Sequence, residues 1–208
     1  MRGMMPPMVR SRPSLALALL ALLALLAVVG PGAARAGKPR RYHFALIEVK
    51  AAPAVGDHAA ELTAAVKAQA DKVLTTHPQL VATLTAPPAD TAGFPAWKKY
   101  LAKQKLDGAY RVNIEITSYE ETVEDLDPSD KIELRLTIRI QLRMFGEVIP
   151  LRTMAFTGDG SATVKADVGR RLRPRDRDFN LAGAVELAVG DAVASSLRKL
   201  ESAPPAKK

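Results

Sequence analysis

Two stretches of strict alternation dominate the pattern of apolar and polar positions. Tyr110, Val112, Ile114 and Ile116 alternate with Arg111, Asn113, Glu115 and Thr117. Ile132, Leu134, Leu136, Ile138, Ile140 and Leu142 alternate with Glu133, Arg135, Thr137, Arg139, Gln141 and Arg143. A period of two over such lengths predicts two long strands with one apolar and one polar face. Between them, Asp127-Pro128-Ser129-Asp130 has the chemistry of a turn, so the two pair as an antiparallel hairpin. Phe145-Gly146-Glu147 predicts a second tight turn, Ile149 to Thr157 a third antiparallel strand and Gly158-Asp159-Gly160 its close, with further extended chain from Ser161 to Val168.

Upstream the period changes. Tyr42 to Val49 is nearly continuously apolar, as in a strand covered on both faces. From Ala59 to Thr76, Leu62, Val66, Gln69/Ala70 and Val73 recur at helical spacing, with Asp57 as expected N-cap and His77-Pro78 as the stop. Leu80 to Thr85 reads as a short strand and Ala86 to Gly93 as a Pro- and Ala-rich loop. Phe94 to Gln104 reads as a helix that buries Trp97, Tyr100 and Leu101. Phe179 to Leu200 reads as a long final helix, in which Ala182, Gly183, Ala184, Ala188, Gly190, Ala192 and Ala194 permit close approach to a sheet. The order is β-α-β-α-β-β-β-α. The fold class is α/β: a mixed, largely antiparallel sheet with helices on one face and the hairpin's polar face outward.

The N-terminal segment reads as a leader, not as fold. Arg2, Arg10 and Arg12 precede Leu15 to Val29, fifteen residues without a polar side chain, and then Gly30, Pro31 and Gly32. Ala34-Arg35-Ala36 completes the pattern of a secretory signal peptide over 1–36, with cleavage expected between Ala36 and Gly37. The apolar run is short for a membrane span, which needs about 20 residues. No cysteine follows it, so lipid attachment of the bacterial lipoprotein type is excluded. Residues 37–41 form a basic lead-in, 42–200 a single domain and 201–208 an expected disordered tail.

Composition changes this picture little. The absence of cysteine in an exported chain favours a bacterial envelope. Of the 30 Lys and Arg, four (Arg2, Arg10, Arg12, Arg35) fall in the leader, which has no acid. That leaves 26 bases against 22 acids, a charge of +4, too mild to argue for nucleic acid.

The residues carry little chemistry. His43, His58 and His77 lack the partner spacing of a metal site. Glu120, Glu121, Glu124, Asp125, Asp127 and Asp130 lack the ordered loop of a calcium site. Gly158-Asp159-Gly160-Ser161 lacks the ending of a phosphate loop, and Ser161 and Ser195-Ser196 lack nucleophile-elbow glycines. No catalytic residue, cofactor or metal is expected. The one functional candidate is a basic run, in which Arg170, Arg171, Arg173, Arg175 and Arg177 fall within eight residues. Arginine forks bind phosphate and carboxylate bidentately. The bland reading is a solvated loop, Arg170 to Asp178, that pairs with the acidic hairpin tip.

Over about Tyr42 to Leu200 the pattern resembles the envelope domain shared by the curli secretion channel subunit and the lipoprotein activators of penicillin-binding proteins. The N-terminal domain of the Tol-Pal translocation protein is a more distant likeness. The residues that carry it are Phe44-Ala45-Leu46-Ile47-Glu48-Val49, Leu106-Asp107-Gly108-Ala109-Tyr110-Arg111-Val112, Thr157-Gly158-Asp159-Gly160 and the closing Ala-rich helix. The resemblance is one of topology and spacing, and the lipoprotein members' cysteine is missing. It implies a non-catalytic adaptor, periplasmic or secreted, whose partner is an envelope protein or an anionic envelope component. A hydrolase with a site assembled from distant residues and a structural subunit that self-associates through a sheet edge are the alternatives.

Overall fold

The computed structural model describes residues 39–126 and 134–202. The leader 1–36, the first part of the basic lead-in, the Asp127–Asp130 turn and most of the C-terminal tail lie outside the described residues. The described residues from Arg40 onward form one compact unit.

Five strands make one sheet in the order β2-β1-β3-β4-β5. They are β1 (Tyr42–Ala51), β2 (Leu80–Val81), β3 (Gly108–Asp125), β4 (Leu134–Val148) and β5 (Met154–Val168). β1 runs parallel to both β2 and β3, while β3–β4 and β4–β5 are antiparallel. Among the described residues three helices, α1 (Ala59–Thr76), α2 (Gly93–Gln104) and α3 (Pro174–Ser202), complete the mixed α/β architecture. Among the described residues no helix is long and apolar enough to cross a membrane.

The alternation reads directly onto the sheet. Val112, Ile114 and Ile116 of β3 and Leu136, Ile138, Ile140 and Leu142 of β4 are buried on the face that α1 and α3 cover. α1 has the expected bounds and buries Leu62, Val66, Ala70 and Leu74. It ends where His77 turns extended ahead of Pro78. Asp57 is not its cap: it lies in a short 3-10 segment, Pro53–His58, and no side chain caps the helix start. α2 serves the other face. Trp97 packs with Ala109 and Ile149 in a second small cluster, and Ala109 points opposite to its core-facing neighbour Tyr110. On the same polar face Arg111 pairs with Asp90, just before α2.

Four boundaries differ from the sequence reading, three of them for a non-local reason. The second strand is two residues long, not six, since it meets β1 only at Tyr42 and His43. Phe145-Gly146-Glu147 is no turn but the end of β4; the Phe156 ring of β5 lies over Gly146, where any Cβ would collide with it. The chain reverses at 149–151 instead. Gly158-Asp159-Gly160 does not close β5 but lies in its middle, beneath α3. Finally, Arg170 to Asp178 is loop only as far as Arg173. Pro174 opens α3, because its missing N–H costs nothing at a first helical position.

α3 touches β5 through deleted side chains. A Cβ on Gly160 would strike the Ala188 carbonyl and Ala192, and one on Gly158 would strike Ser196 and the Ala192 carbonyl. Ala184, Ala188, Ala192 and Ser196 form a fully buried i, i+4 stripe. Gly183 and Gly190, also small, face open space instead.

Candidate functional site

The site lies where β5 ends and α3 begins. After Val168 the chain passes through Gly169 to Arg173 and enters α3 at Pro174. The Arg173 carbonyl accepts from the N–H groups of Asp176 (3.0 Å) and Arg177 (3.2 Å), which closes the first helical turn. Asp176 in that turn suits the positive end of the helix dipole.

An open groove of about 1160 Å³ lies here. Ala166, Asp167, Val168 and Gly169 of the strand end line it, with Arg170, Arg171, Arg173, Pro174, Arg175, Asp176, Phe179 and Asn180. Arg170, Arg171, Arg173 and Arg175 are solvent-exposed. Asp167 is already engaged: Arg135 Nε donates to it at 2.7 Å across the strand pair and holds its carboxyl below the usual range. Phe179 is 79% exposed, the most exposed large apolar side chain among the described residues.

Arg177, the fifth candidate, does not join the other four. It turns inward, bonding both Glu121 oxygens through Nε (3.0 and 2.9 Å) and Glu61 through Nη1 (2.6 Å) and Nη2 (2.9 Å). Tyr119 donates its hydroxyl to Glu121 at 2.5 Å. One guanidinium thus ties α3 to α1 and β3. The Arg177 hydrogen bonds hold the Glu61 carboxyl below its ordinary value, and burial together with the Glu121 contact pushes the Tyr119 hydroxyl well up.

The acidic group seen in the sequence is divided in the same way. A register shift after Ile116 changes the faces of β3, so Glu121 joins Arg177 on the helix side while Glu120 pairs with Arg139 on the polar face. Asp127 and Asp130 lie outside the described residues. The polar face holds further cross-strand pairs, Arg135–Asp167 and Arg143–Asp159.

The histidines are dispersed. His43 is buried, with Nδ1 2.7 Å from the Val81 carbonyl, and burial lowers its pKa. His58 lies beside Glu61 and the Tyr119 ring, and His77 caps α1. Among the described residues no group of three His, Asp or Glu side chains converges as a metal site would require. Ser161 gives its N–H to Asp191, and Ser196 is buried with its hydroxyl on the Ala192 carbonyl. Phe179 and Glu61 were not singled out in the sequence. Phe179 had a signal: it falls off the Leu181–Val185–Ala188 stripe that α3 buries.

No family model matches this chain, and no curated protein does. Among solved structures it is similar to a DUF330 protein from Xanthomonas campestris, with 9% identity over 78% of this chain and 88% of that one and a TM-score of 0.49. It is similar too to a minor lipoprotein from Acinetobacter baumannii (8%, 80% and 96%, TM-score 0.42). Rare lipoprotein B from Shewanella oneidensis matches at 10% over 76% and 98%, with a TM-score of 0.36.

Proposed function

We propose that this chain is an exported, non-catalytic binding module of the bacterial cell envelope, and that the basic groove holds an anionic envelope component. The observation that carries this reading is the concentration of Arg170, Arg171, Arg173 and Arg175 along one groove beside an exposed Phe179. Guanidinium forks suit phosphate and carboxylate oxygens, and an aromatic at the rim offers apolar area to whatever bears the anion. The leader-like segment and the topological resemblance to the curli-subunit and penicillin-binding-protein-activator group support the compartment and the adaptor role.

The test is co-sedimentation with phosphatidylglycerol vesicles, with phosphatidylcholine vesicles as control and purified envelopes as the wider source. Binding is expected to fall with added salt, since screening shortens to about 10 Å at 0.1 M. Replacing Arg171, Arg173 and Arg175 with Gln should cut it at least tenfold and flatten its salt dependence. Sedimentation of the triple variant equal to that of the parent at low salt would end the proposal.

A further inference from the structure

β5 is the outermost strand of the sheet, and α3 guards only half of its free edge. In an antiparallel ladder, alternate residues turn both N–H and C=O toward the partner strand, and those between turn both away. Lys199 Nζ donates to the Thr157 carbonyl, and the Ser161 N–H donates to Asp191 Oδ2 at 3.3 Å. The odd-numbered residues of β5 are therefore the outward ones, and side chains of α3 satisfy the first of them. Pairing with β4 continues without a register shift from Phe156 to Val168, so Thr163, Lys165 and Asp167 face outward too. By that point α3 has crossed away: Arg177, near its start, bonds Glu121 on β3, two strands inward. Among the described residues no group outside β4 bonds the main chain of Thr163, Lys165 or Asp167. This stretch has neither proline nor bulge to keep edges apart, and its edge charges, Lys165 and Asp167, are of opposite sign.

We propose that this open edge docks a second copy of the same chain, β5 against β5, antiparallel, with the dyad at Ala166. The sequence Val164-Lys165-Ala166-Asp167-Val168 is self-complementary about that point. Lys165 then stands opposite the partner's Asp167 and Asp167 opposite the partner's Lys165. Both are outward residues, so the two pairs exchange main-chain hydrogen bonds. On the helix side Val164 meets the partner's Val168, and Ala166 meets itself. Charge selects this register. A shift of the dyad by one residue sets Lys165 against Lys165 or Asp167 against Asp167, and like charges directly opposite are unfavourable. A shift of two toward Ser161 sets Asp167 against a residue whose N–H Asp191 already holds. The contact is short, so association is concentration-dependent. It goes beyond the anion-binding reading and does not rest on it, and the strand end Ala166, Asp167 and Val168 belongs to both surfaces.

The chain has no cysteine, which makes single-cysteine cross-linking clean. Ala166 lies at a non-hydrogen-bonded position, where facing Cα atoms are about 4.5 Å apart, within reach of a disulfide. The two copies of Val164 would be about 13 Å apart at ~3.3 Å per residue. Under mild oxidation, Ala166→Cys should give disulfide dimers at least tenfold faster than Val164→Cys, and adding Lys165→Asp should slow the reaction sharply. Sedimentation velocity of the cysteine-free chain reads the same association without a new residue: the mean s-value should rise with concentration, and Lys165→Asp should remove the rise. Equal cross-linking at the two positions, faster cross-linking at Val164→Cys, or an s-value independent of concentration would overturn the proposal.

Discussion

The two ends of α3 meet β5 in opposite ways. From its middle into its C-terminal half the helix backbone descends onto the strand, because Gly158 and Gly160 have no side chains and Ala188, Ala192 and Ser196 have small ones. At the N-terminal end the helix swings toward β3 and α1, held by Arg177, and the groove with its arginines opens behind it. The first contact is set by shape, with Lys199 and Asp191 hydrogen-bonding along its edge, and the two glycines admit no added atom. The second is charge and hydrogen bonding, and it leaves a groove open beside the helix start. In this protein the candidate site is what remains when a helix is packed tightly at one end and tethered obliquely at the other.

The sharpest way to break the comparison is to add a side chain at each end. Gly160→Val should destabilise by about 3 kcal/mol, the upper part of the range for overpacking, because the obstacle is helix backbone and cannot rotate away. Gly169→Ala, in the open loop, meets nothing within 4 Å and should stay within about 0.5 kcal/mol of the parent. Urea unfolding of the two variants checks this. Equal losses would mean that α3 does not seat on β5 as described.

Much of this contrast is invisible in the sequence. The alternation of β3 and β4 and the bounds of α1 were legible, because a period of two or 3.6 is a local signal set by which face is buried. Gly146, Gly158 and Gly160 have the sequence signature of turn glycines but lie within strands. Their reason is a ring or a helix from elsewhere in the chain, and a glycine that makes room looks the same in sequence as one that turns. The arginine run was found as a whole. What split it was partner choice: Arg177 reaches Glu61, 116 residues away, and no spacing rule anticipates that. The register shift after Ile116 then decided which acid of the Glu120–Glu121 pair it would find.

Within the run, substitutions should separate tether from surface. Arg177→Gln removes hydrogen bonds to two carboxylates at a mostly buried position and should cost about 2 kcal/mol, such bonds being worth ~1.5–3. Arg171→Gln, Arg173→Gln and Arg175→Gln together should change stability by less than about 1 kcal/mol, since exposed charges contribute little. Thermal melts of the single and triple variants, run beside the vesicle assay, would merge the two classes if the triple variant lost as much as the single one.

The smallest effect is the dependence of the tether on pH. Arg177 holds the Glu61 carboxyl below its ordinary value of 4.5, so the folded state binds that proton less readily than the unfolded chain does. A depressed carboxyl contributes stability that is complete above the unfolded value and is lost as the pH falls through the folded one. The Arg177→Gln variant lacks this contribution at every pH. The gap between the two melting curves should therefore be constant from pH 7 to about 5 and narrow below about 4.5. His43 acts in both proteins alike: burial lowers its pKa, so stability declines on acidification below about 6.5, but the decline cancels in the difference. A gap that stayed constant down to pH 3 would mean that Arg177 does not hold the Glu61 carboxyl below its ordinary value.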